Sequence, residues 1–485
     1  MEKKSESPQR NGMLRAAVAG GPAVFLTDAK YMTADWSEDD TIIFSEGLNS
    51  PVVSMPAGGG ERTPVTELAG DGAYAHVWPQ RIGGTNKMLF TSWNSTVPGG
   101  ARLFDMDTGQ ILPVESGSED RFVAPVRWSP SGHLIFESWG AGLLVVPFDP
   151  ESGQAVQRGE ARPLLGEVAH MGNSTRSLFA LSDEGTLVYA PGAQGRRRLV
   201  WVDATGGVEP ILEQDRLQGT AIGGNLSLSP DGSRVALGGG GDVVVVDLDR
   251  NIPRRLDDPG NDLNTVWGSA GRIFYGSNRS ERWSVWSVDP DGGAEPELVL
   301  QRDDNTWPRA VASNGDLLIS ETRVGFGNDL MILDRDGEVR PLAATTANEN
   351  SGSYSVDDRW VAFDSDASGR FEVYVTRADG SGTPVQVTTD GGRAPKFGRS
   401  GETLYFRQHR RVMRVGFVDG RPVGEAVAVF QAPNLATGQS YEISLEETRM
   451  IAVQLDDDAI PSELRIITDF FDVIHQVAGT TPSDN

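Results

Sequence analysis

The stretch "LSLSPDGSRVALGGGGDVVVVDLDRN", residues 226–251, decides the fold of this chain. Leucines alternate with serines before a Ser-Pro-Asp-Gly turn, a short apolar run follows, and four consecutive valines precede a second, Asp-rich turn. Short β-branched runs bounded by turn residues predict antiparallel strands, not a helix. In the first turn, Ser229 can bond the backbone ahead of it, Pro230 fixes φ, and Gly232 takes the left-handed conformation that returns the chain as a hairpin.

The same pattern recurs along the whole chain, at intervals of roughly 40 to 50 residues. Ten copies carry a turn of this kind, at Trp36, Trp78 (a looser copy), Trp128, Leu181, Leu228, Trp267, Ala312, Tyr354, Phe397 and Ile443. A second strand with an Asp/Gly turn follows each copy, as in "RRLVWVDATGG" and "WSVWSVDPDGG". Each unit therefore predicts about four short antiparallel strands, and such sheets bury both faces when they pack around an axis as a β-propeller.

The fold prediction is an all-β chain, a β-propeller built of about ten four-stranded antiparallel repeats. Ten exceeds the roughly four to eight blades of common propellers, which favours two consecutive propellers, the second six-bladed, over one large ring. The boundary is placed in the polar stretch 166–177. The predicted segments are a disordered N-terminus (1–12), a first propeller part with a partial first blade and about four repeats (13–170), a six-repeat propeller (171–478) and a disordered tail (479–485).

Two further features bear on packing. One large residue precedes the turn in many repeats and is predicted to pack between neighbouring blades, at Trp36, Trp128, Trp267, Tyr354 and Phe397. Helical periodicity competes with this pattern only in "DFFDVIHQV", near the end of the sequence.

Composition excludes several classes of function. The chain has 485 residues, 43 Lys and Arg against 68 Asp and Glu, and a net charge of −25, which disfavours binding to nucleic acid and to anionic lipid. It has no cysteine, so disulfides, thiolate metal sites and a cysteine nucleophile are excluded. No stretch approaches the roughly 20 apolar residues of a membrane span, and no clear secretion signal occurs. From the residues alone the chain is expected in the cytoplasm.

The repeats resemble TolB-like, WD-repeat-like β-propeller repeats, which carry the same Ser-Pro-Asp-Gly hairpin. Residues 13 to about 475 more closely resemble the C-terminal propeller region of bacterial membrane-anchored serine/threonine protein kinases, in "RRRLVWVDATGG", "DDPGNDLNTVWGSAGRIFYGSNRS", "GRFEVYVTRADGSGTPVQVTTDGGRAPKFGRSGETLYF" and "SELRIITDFF". The resemblance implies a sensing or protein-contacting module outside the membrane. The kinase motifs and the membrane helix of that family are missing here, which implies a kinase-less or truncated relative.

The first hairpin-like segment, "MLRAAVAGGPAVFLTDA" (residues 13–29), looks like the second half of a repeat. Two explanations stay open. Either the chain is a truncated or split relative of the kinases, or this hairpin closes the ring by pairing with the C-terminal blade.

Motifs that would carry catalysis or bind metal do not emerge. The five histidines (His76, His133, His170, His409 and His475) lack metal-ligand spacing, and no Gly-x-Ser-x-Gly elbow occurs. The segments "VDPDGGAE" (288–295) and "DSDASGR" (364–370) lack the full ligand pattern of a calcium loop. The sequence thus predicts no catalytic residue, no metal and no cofactor.

The leading functional hypothesis is a non-enzymatic propeller that binds a protein or peptide as a sensor or scaffold. Loops before the inner strands are the expected contact surface, because they vary independently of the blade core. They are "GNDLN" (260–264), "RDDNTW" (302–307), "ANENSGS" (347–353) and "GGRAPK" (391–396), with Asn264, Asp304, Asn350 and Arg393 as candidate binding residues. The alternative hypothesis is a propeller hydrolase or lyase that uses carboxylates at the channel mouth.

Overall fold

A computed structural model gives the fold, and it is almost entirely β. The residues that it describes are 12–28, 33–46, 50–68, 75–93, 100–114, 126–138, 142–150, 161–166, 168–169, 178–192, 197–213, 225–238, 241–256, 260–280, 282–323, 327–431, 434–436, 438–455 and 463–479. Within these residues there are nine four-stranded sheets, one three-stranded sheet, one two-stranded sheet and one helix. Every pairing of neighbouring strands is antiparallel, as the repeat analysis predicts.

The strands of the first part of the chain are β1 (Gly12–Arg15), β2 (Val24–Asp28), β3 (Ala34–Trp36), β4 (Thr41–Ser45), β5 (Val52–Pro56), β6 (Thr63–Pro64), β7 (Ala75–Ile82), β8 (Lys87–Trp93), β9 (Gly100–Asp105), β10 (Ile111–Pro113), β11 (Arg127–Ser129), β12 (His133–Ser138), β13 (Gly142–Pro147), β14 (Arg162–Leu165), β15 (Phe179–Leu181) and β16 (Leu187–Tyr189).

The remaining elements are β17 (Arg197–Asp203), β18 (Val208–Glu213), β19 (Asn225–Leu228), β20 (Arg234–Gly238), β21 (Val243–Asp247), β22 (Ile252–Leu256), β23 (Asp262–Trp267), β24 (Ile273–Ser277), β25 (Ser284–Val288), β26 (Glu297–Leu300), β27 (Asn305–Val311), β28 (Leu317–Arg323), β29 (Gly327–Leu333), β30 (Val339–Ala343), β31 (Glu349–Tyr354), β32 (Trp360–Ser365), β33 (Glu372–Arg377), β34 (Val385–Gln386), β35 (Arg393–Phe397), β36 (Thr403–Gln408), β37 (Arg411–Val418), β38 (Arg421–Gln431), β39 (Tyr441–Ile443), β40 (Arg449–Leu455), β41 (Arg465–Ile467) and α1 (Phe470–Ala478).

The described residues fall into two compact units that are interleaved along the chain. Those within 1–168, 175–191 and 463–485 form the first unit, and those within 169–174 and 192–462 form the second. The segments predicted from the sequence, 13–170 and 171–478, are each continuous. In the structure, the first unit also includes described residues within 463–485, near the C-terminus. Most of the predicted boundary stretch 166–177 lies outside the described residues.

The second unit is a closed ring of six four-stranded blades. Five blades follow the chain, from β19–β22 to β35–β38, and the sixth combines both ends of the unit in the order β18-β17-β40-β39. Each of the six blade-to-blade interfaces contains its own cluster of buried apolar side chains, including both interfaces of the sixth blade. Ring closure therefore rests on β17 pairing with β40, which runs from Arg197 opposite Leu455 to Asp203 opposite Arg449.

The first unit contains five sheets and the helix. The hairpin β1–β2 packs on β3–β6, and the next two sheets are β7–β10 and β11–β14. The fifth sheet joins β15 and β16 to β41. Helix α1 buries Phe470, Ile474 and Ala478, four residues apart on one face, against the sheets β11–β14 and β15-β16-β41. The helical periodicity of "DFFDVIHQV" is confirmed.

Turn chemistry in the structure matches the expectation from sequence. The backbone N–H of Arg234 donates to Ser229 Oγ at 2.9 Å, and Gly232 has a left-handed φ of 71°. Asp231 Oδ1 accepts from Ser229 Oγ at 2.6 Å and from the N–H of Ser233 at 3.0 Å. These hydrogen bonds favour the carboxylate and hold the pKa of Asp231 at about 2.

Neighbouring inner strands belong to different sheets. Hydrogen bonds from a backbone N–H of one strand to a serine side chain of the other connect them. The N–H of Trp267 donates to Ser227 Oγ at 2.9 Å, and the N–H of Phe397 donates to Ser353 Oγ at 3.1 Å. In both cases the serine immediately precedes the large residue of its own repeat. This repeated bond fixes the stagger between adjacent inner strands.

Two sequence-based expectations about the repeats need correction. The repeat at Leu181 is divided, since β15–β16 belong to the first unit and β17–β18 to the second. Trp36 is 53% exposed and does not pack between blades, because its ring lies over its own turn, with Nε1 donating to Asp40 Oδ1 at 3.3 Å. Trp267 is buried as expected, and Trp128, Tyr354 and Phe397 pack partly buried at blade interfaces.

The first hairpin does not close a ring. In the described residues β1 pairs only with β2, and the C-terminal strand β41 pairs with β16. Gly12 begins β1, and Gly479 caps α1 with a left-handed φ of 70°. The rest of the termini predicted to be disordered, 1–11 and 480–485, lie outside the described residues.

Ring closure makes a testable prediction for β40. Ile451 is fully buried in the cluster between the sixth blade and β19–β22, so Ile451→Ala is expected to cost about 2–5 kcal/mol of unfolding free energy. Val423→Ala, at a site 53% exposed on β38, should change it by less than about 0.5 kcal/mol. Urea denaturation of both variants measures the difference. Equal losses of unfolding free energy in the two variants would contradict a role of β40 in the core of the ring.

Candidate functional site

The candidate site is the end of the six-bladed ring at which the inner strands begin, here called the start face. The inner strands are β19, β23, β27, β31, β35 and β39, each at one edge of its sheet. The opposite end, which carries the Ser-Pro-Asp-Gly type of turn, is called the turn face. The start face is shaped by β-bulges in β23, β31 and β35, where the inner strand carries extra residues against its neighbour.

The structure places all four predicted binding residues on the start face. Asn264 lies in the bulge of β23 with a left-handed φ of 56°, and Asp304 immediately precedes β27. Asn350 is the second residue of β31, and Arg393 is the exposed first residue of β35. They are brought to one end of the ring but are held by different neighbours, so they are positions on one surface and not a contiguous cluster. Their role in binding stays a prediction.

Carboxamide side chains dominate part of this face. Asn225 at the start of β19 donates from Nδ2 to Asn264 Oδ1, and its own Oδ1 accepts the N–H of Gln439 at 2.7 Å. On the other side of the ring, Asn350 Oδ1 accepts from Asn328 Nδ2 at 2.6 Å. The sequence reasoning identified Asn264 and Asn350 but missed their partners, because the partners come from other blades.

Aromatic rings and an arginine form a second part of the start face. Half-buried Trp283 and Trp307 lie with ring centroids 6.1 Å apart at 40°. The ring of Trp307 packs over Gly276, where an added Cβ would lie only 2.7 Å from Trp307 Cδ1. The guanidinium of Arg393 lies 3.8 Å from the centroid of the Phe371 ring, a cation–π geometry.

Most buried acids on this face accept hydrogen bonds from backbone N–H groups. Asp364 Oδ2 accepts the N–H of Ala394, in the next blade, at 2.7 Å. Glu372 accepts the N–H of Gly391 with both oxygens at 3.0 Å, and Asp366 Oδ1 accepts the N–H of Asn348 at 2.9 Å. These carboxylates serve as acceptors for backbone groups near the starts of inner strands.

Asp262, the first residue of β23, differs from these acids. Its side chain is fully buried, and neither carboxyl oxygen has a hydrogen-bond partner within the described residues. Burial raises the pKa of Asp262 to about 7, and the charge of Asp242 adds to the rise. A single buried acid therefore titrates near neutral pH beside the predicted residue Asn264.

A metal site and a membrane-spanning helix are both absent from the described part of the chain. There, no group of three or more His, Asp or Glu side chains is placed to hold a metal ion. No helix in those residues is long and apolar enough to cross a membrane.

Comparison with known proteins gives similarity in fold. No protein-family model matches the chain, and no curated protein matches it. Solved structures similar to it include TolB-like and other β-propeller proteins. A putative TolB from Agrobacterium tumefaciens is 17% identical over 54% of this chain and 98% of its own, with a TM-score of 0.44.

Two further solved structures show the range of such propellers. TolB from Acinetobacter baumannii is 12% identical over 80% of each chain, with a TM-score of 0.37. A gluconolactonase from Xanthomonas campestris is 13% identical over 48% of this chain and 85% of its own, with a TM-score of 0.38. Likeness at this level concerns the fold, and the function is argued below from the site itself.

The titration of Asp262 predicts a pH dependence of stability. The folded-state pKa of about 7 lies above the ordinary value of 3.8, so between these values the folded chain keeps a proton that the unfolded chain releases. The unfolding free energy should fall as pH rises from about 4 to about 7, by up to about 4 kcal/mol from this group. Asp262→Asn should remove that contribution and be the more stable protein at pH 8.

Urea denaturation at several pH values measures this effect. Asp303→Asn, at an exposed position near the same face, is the matched control and should keep the wild-type dependence. A variant Asp262→Asn with the wild-type pH profile would contradict the assignment.

Proposed function

We propose that the six-bladed unit binds a protein or peptide on its start face. The observation that carries the proposal is the combination of Trp283, Trp307 and the Arg393–Phe371 pair on one face. Tryptophan and arginine are enriched among the residues that dominate binding energy at protein interfaces. Half-buried rings are already immobilised by their own packing, so they lose little conformational freedom when a partner covers them.

The carboxamides support a peptide as the partner. A carboxamide has an acceptor oxygen and two donor hydrogens, which matches the donor and acceptor of a peptide group. Asn264 and Asn350 are already oriented by hydrogen bonds to Asn225 and Asn328. Such preoriented amides can pair with the backbone of an extended segment, while the rings and Arg393 contact its side chains.

The finer proposal is a sensor or scaffold module related to the kinase propellers. Its support is the order and spacing of the repeat motifs in the sequence, together with the exposed, polar character of the start face. On this proposal the ring presents a partner-binding surface, and the signalling chemistry belongs to another chain or segment.

The enzymatic alternative needs two groups that act on one substrate. Burial raises the pKa of three acids on this face, Asp262, Glu349 and Asp364. Asp262 is separated from the other two by the blade β27–β30. Glu349 and Asp364 share the blade β31–β34, and Glu349 accepts a hydrogen bond from the Thr345 hydroxyl at 2.6 Å. Asp364 also accepts a backbone N–H, as described above. These observations favour binding over catalysis as the role of the start face.

Peptide display on the full chain tests the proposal. Peptides selected for binding are labelled, and their affinity is measured by fluorescence polarisation. Arg393→Ala and Trp307→Ala are each expected to weaken binding at least tenfold, since they remove anchor groups. Arg393 is exposed, but its charge also acts on the buried Asp364, so affinities are compared well below the melting temperature of every variant.

Arg335→Ala is the control, at an exposed arginine in a turn that precedes β30. It should leave the affinity unchanged. Selection that enriches no related peptides, or selected peptides that bind Arg393→Ala and wild type equally, would contradict binding on the start face.

A further inference from the structure

A cavity on the axis of the six-bladed ring lies apart from the start face. Its volume is about 370 Å³, at the small end of the range for ligand pockets. Residues of all six inner strands line it, and it reaches the turn face, where Pro230, Ser269 and Ser313 form part of its rim. The side chain of Gln439 crosses towards β31 and donates to the carbonyl of Gly352 at 3.1 Å, which forms part of the cavity lining.

Arg309 is the cation most deeply placed in this cavity. It is the extra residue of a β-bulge in β27, between Pro308 and Ala310, and bulges redirect side chains. Its Nε donates to Ser320 Oγ at 2.8 Å. Among the described residues its two terminal amino groups have no hydrogen-bond partner and no ion pair, although they line a cavity.

The acids near Arg309 interact more strongly with other cations. Burial lowers the pKa of Arg309 to about 10, against the favourable charge of Asp364. Asp364 is shared with Arg393, whose charge acts on it more strongly, and makes no ion pair with Arg309. Glu442, the acid of the cavity wall, is paired with Lys396 at 2.6 Å. The charge of Arg309 is thus left without a direct counter-ion in a chain whose net charge is −25.

We propose that the axial cavity is a binding site for one carboxylate group, held by the guanidinium of Arg309 with Lys396 as a second donor. A guanidinium binds a carboxylate through two parallel hydrogen bonds, and two N–H-bearing groups of Arg309 are free to make them. Lys396 has three donors and uses one on Glu442 in the structure. The hydroxyls of Ser227, Thr265 and Ser353 line the remaining wall.

One negative charge fits this cavity better than two. A carboxylate neutralises the charge of Arg309, whereas a phosphate dianion adds a second charge close to Glu442 and to Asp358 at the rim. The volume accepts a small free monocarboxylate or one acidic side chain with its neighbouring peptide groups. These two sources share the same chemistry, and the experiment separates them.

Binding to the full chain is measured by calorimetry and by the melting temperature, at constant ionic strength. The probes are butyrate and its neutral amide, acetyl-Gly-Glu-Gly-amide and its glutamine counterpart, and inorganic phosphate. At least one carboxylate probe is expected to bind tenfold or more tightly than its neutral counterpart. The stronger of the two carboxylate probes identifies the source.

Arg309→Gln should abolish this preference for the carboxylate, and Arg309→Lys should keep only part of it, because the charge remains and the two-pronged geometry is lost. Arg410→Gln, at an exposed arginine outside the cavity, is the matched control and should bind as wild type. Without ligand, Arg309→Gln should melt no lower than wild type, since it removes a half-buried charge without a direct counter-ion.

The proposal is overturned if neither carboxylate probe is preferred over its amide, if phosphate binds and the carboxylates do not, or if Arg309→Gln keeps the preference. The start-face variant Trp307→Ala should leave the cavity affinity unchanged. Failure of peptide binding on the start face and failure of the axial site are therefore separate results.

Discussion

The pairing of β17 with β40 is the interaction on which the second unit depends. Seven residues at the start of the unit, Arg197–Asp203, pair in register with seven near its end, Arg449–Leu455. Without this ladder the sixth blade would be two separate hairpins with exposed edges, and unpaired strand edges are prone to wrong association. The pairing also completes two of the six apolar interfaces. A closed ring fixes the distance of each inner strand from the axis. The same inner strands form the start face and the axial cavity, so closure determines the geometry of both.

Ring closure by itself does not place the candidate functional side chains. The β-bulges in the inner strands do so. Bulges put Asn264 on the start face and turn Arg309 towards the axis. The two features face different environments. The start face presents half-buried rings, amides and an exposed arginine, which suit a polypeptide surface. The cavity encloses a charge that burial makes costly, and a buried charge without a counter-ion is a stronger signal for a ligand than a charge in solvent.

Much of the fold is encoded locally and was accessible from the sequence. The Ser229–Asp231 turn, the alternation of the strands and the apolar spacing in α1 depend only on neighbouring residues. The division of the Leu181 repeat was not accessible, because every repeat carries the same local pattern and the choice of partner for β17 rests on residues some 250 positions away. The exposure of Trp36 was also missed, although its cause is local, since the ring lies over its own turn.

The candidate site could likewise be predicted only in part from the sequence. Polar residues before the inner strands were visible in the sequence, and the structure does place Asn264, Asp304, Asn350 and Arg393 at one end of the ring. Their partners Asn225, Asn328 and Phe371 come from other strands or blades and carry no sequence signal that links them. Arg309 lies within an apolar strand pattern, and only the bulge shows that its side chain reaches the axis.

A disulfide between β17 and β40 tests the closure most directly. Val200 and Ala452 are register partners and both are buried, and the chain has no other cysteine to compete. Val200→Cys/Ala452→Cys is predicted to form the cross-link on oxidation of the folded protein, seen by peptide mapping, with a gain of about 5–6 kcal/mol in the chain-entropy account. Val200→Cys/Leu237→Cys, with the second cysteine in the next blade, should stay reduced. Free thiols in the first variant after oxidation, or a cross-link in the second, would contradict a ring closed by these two strands.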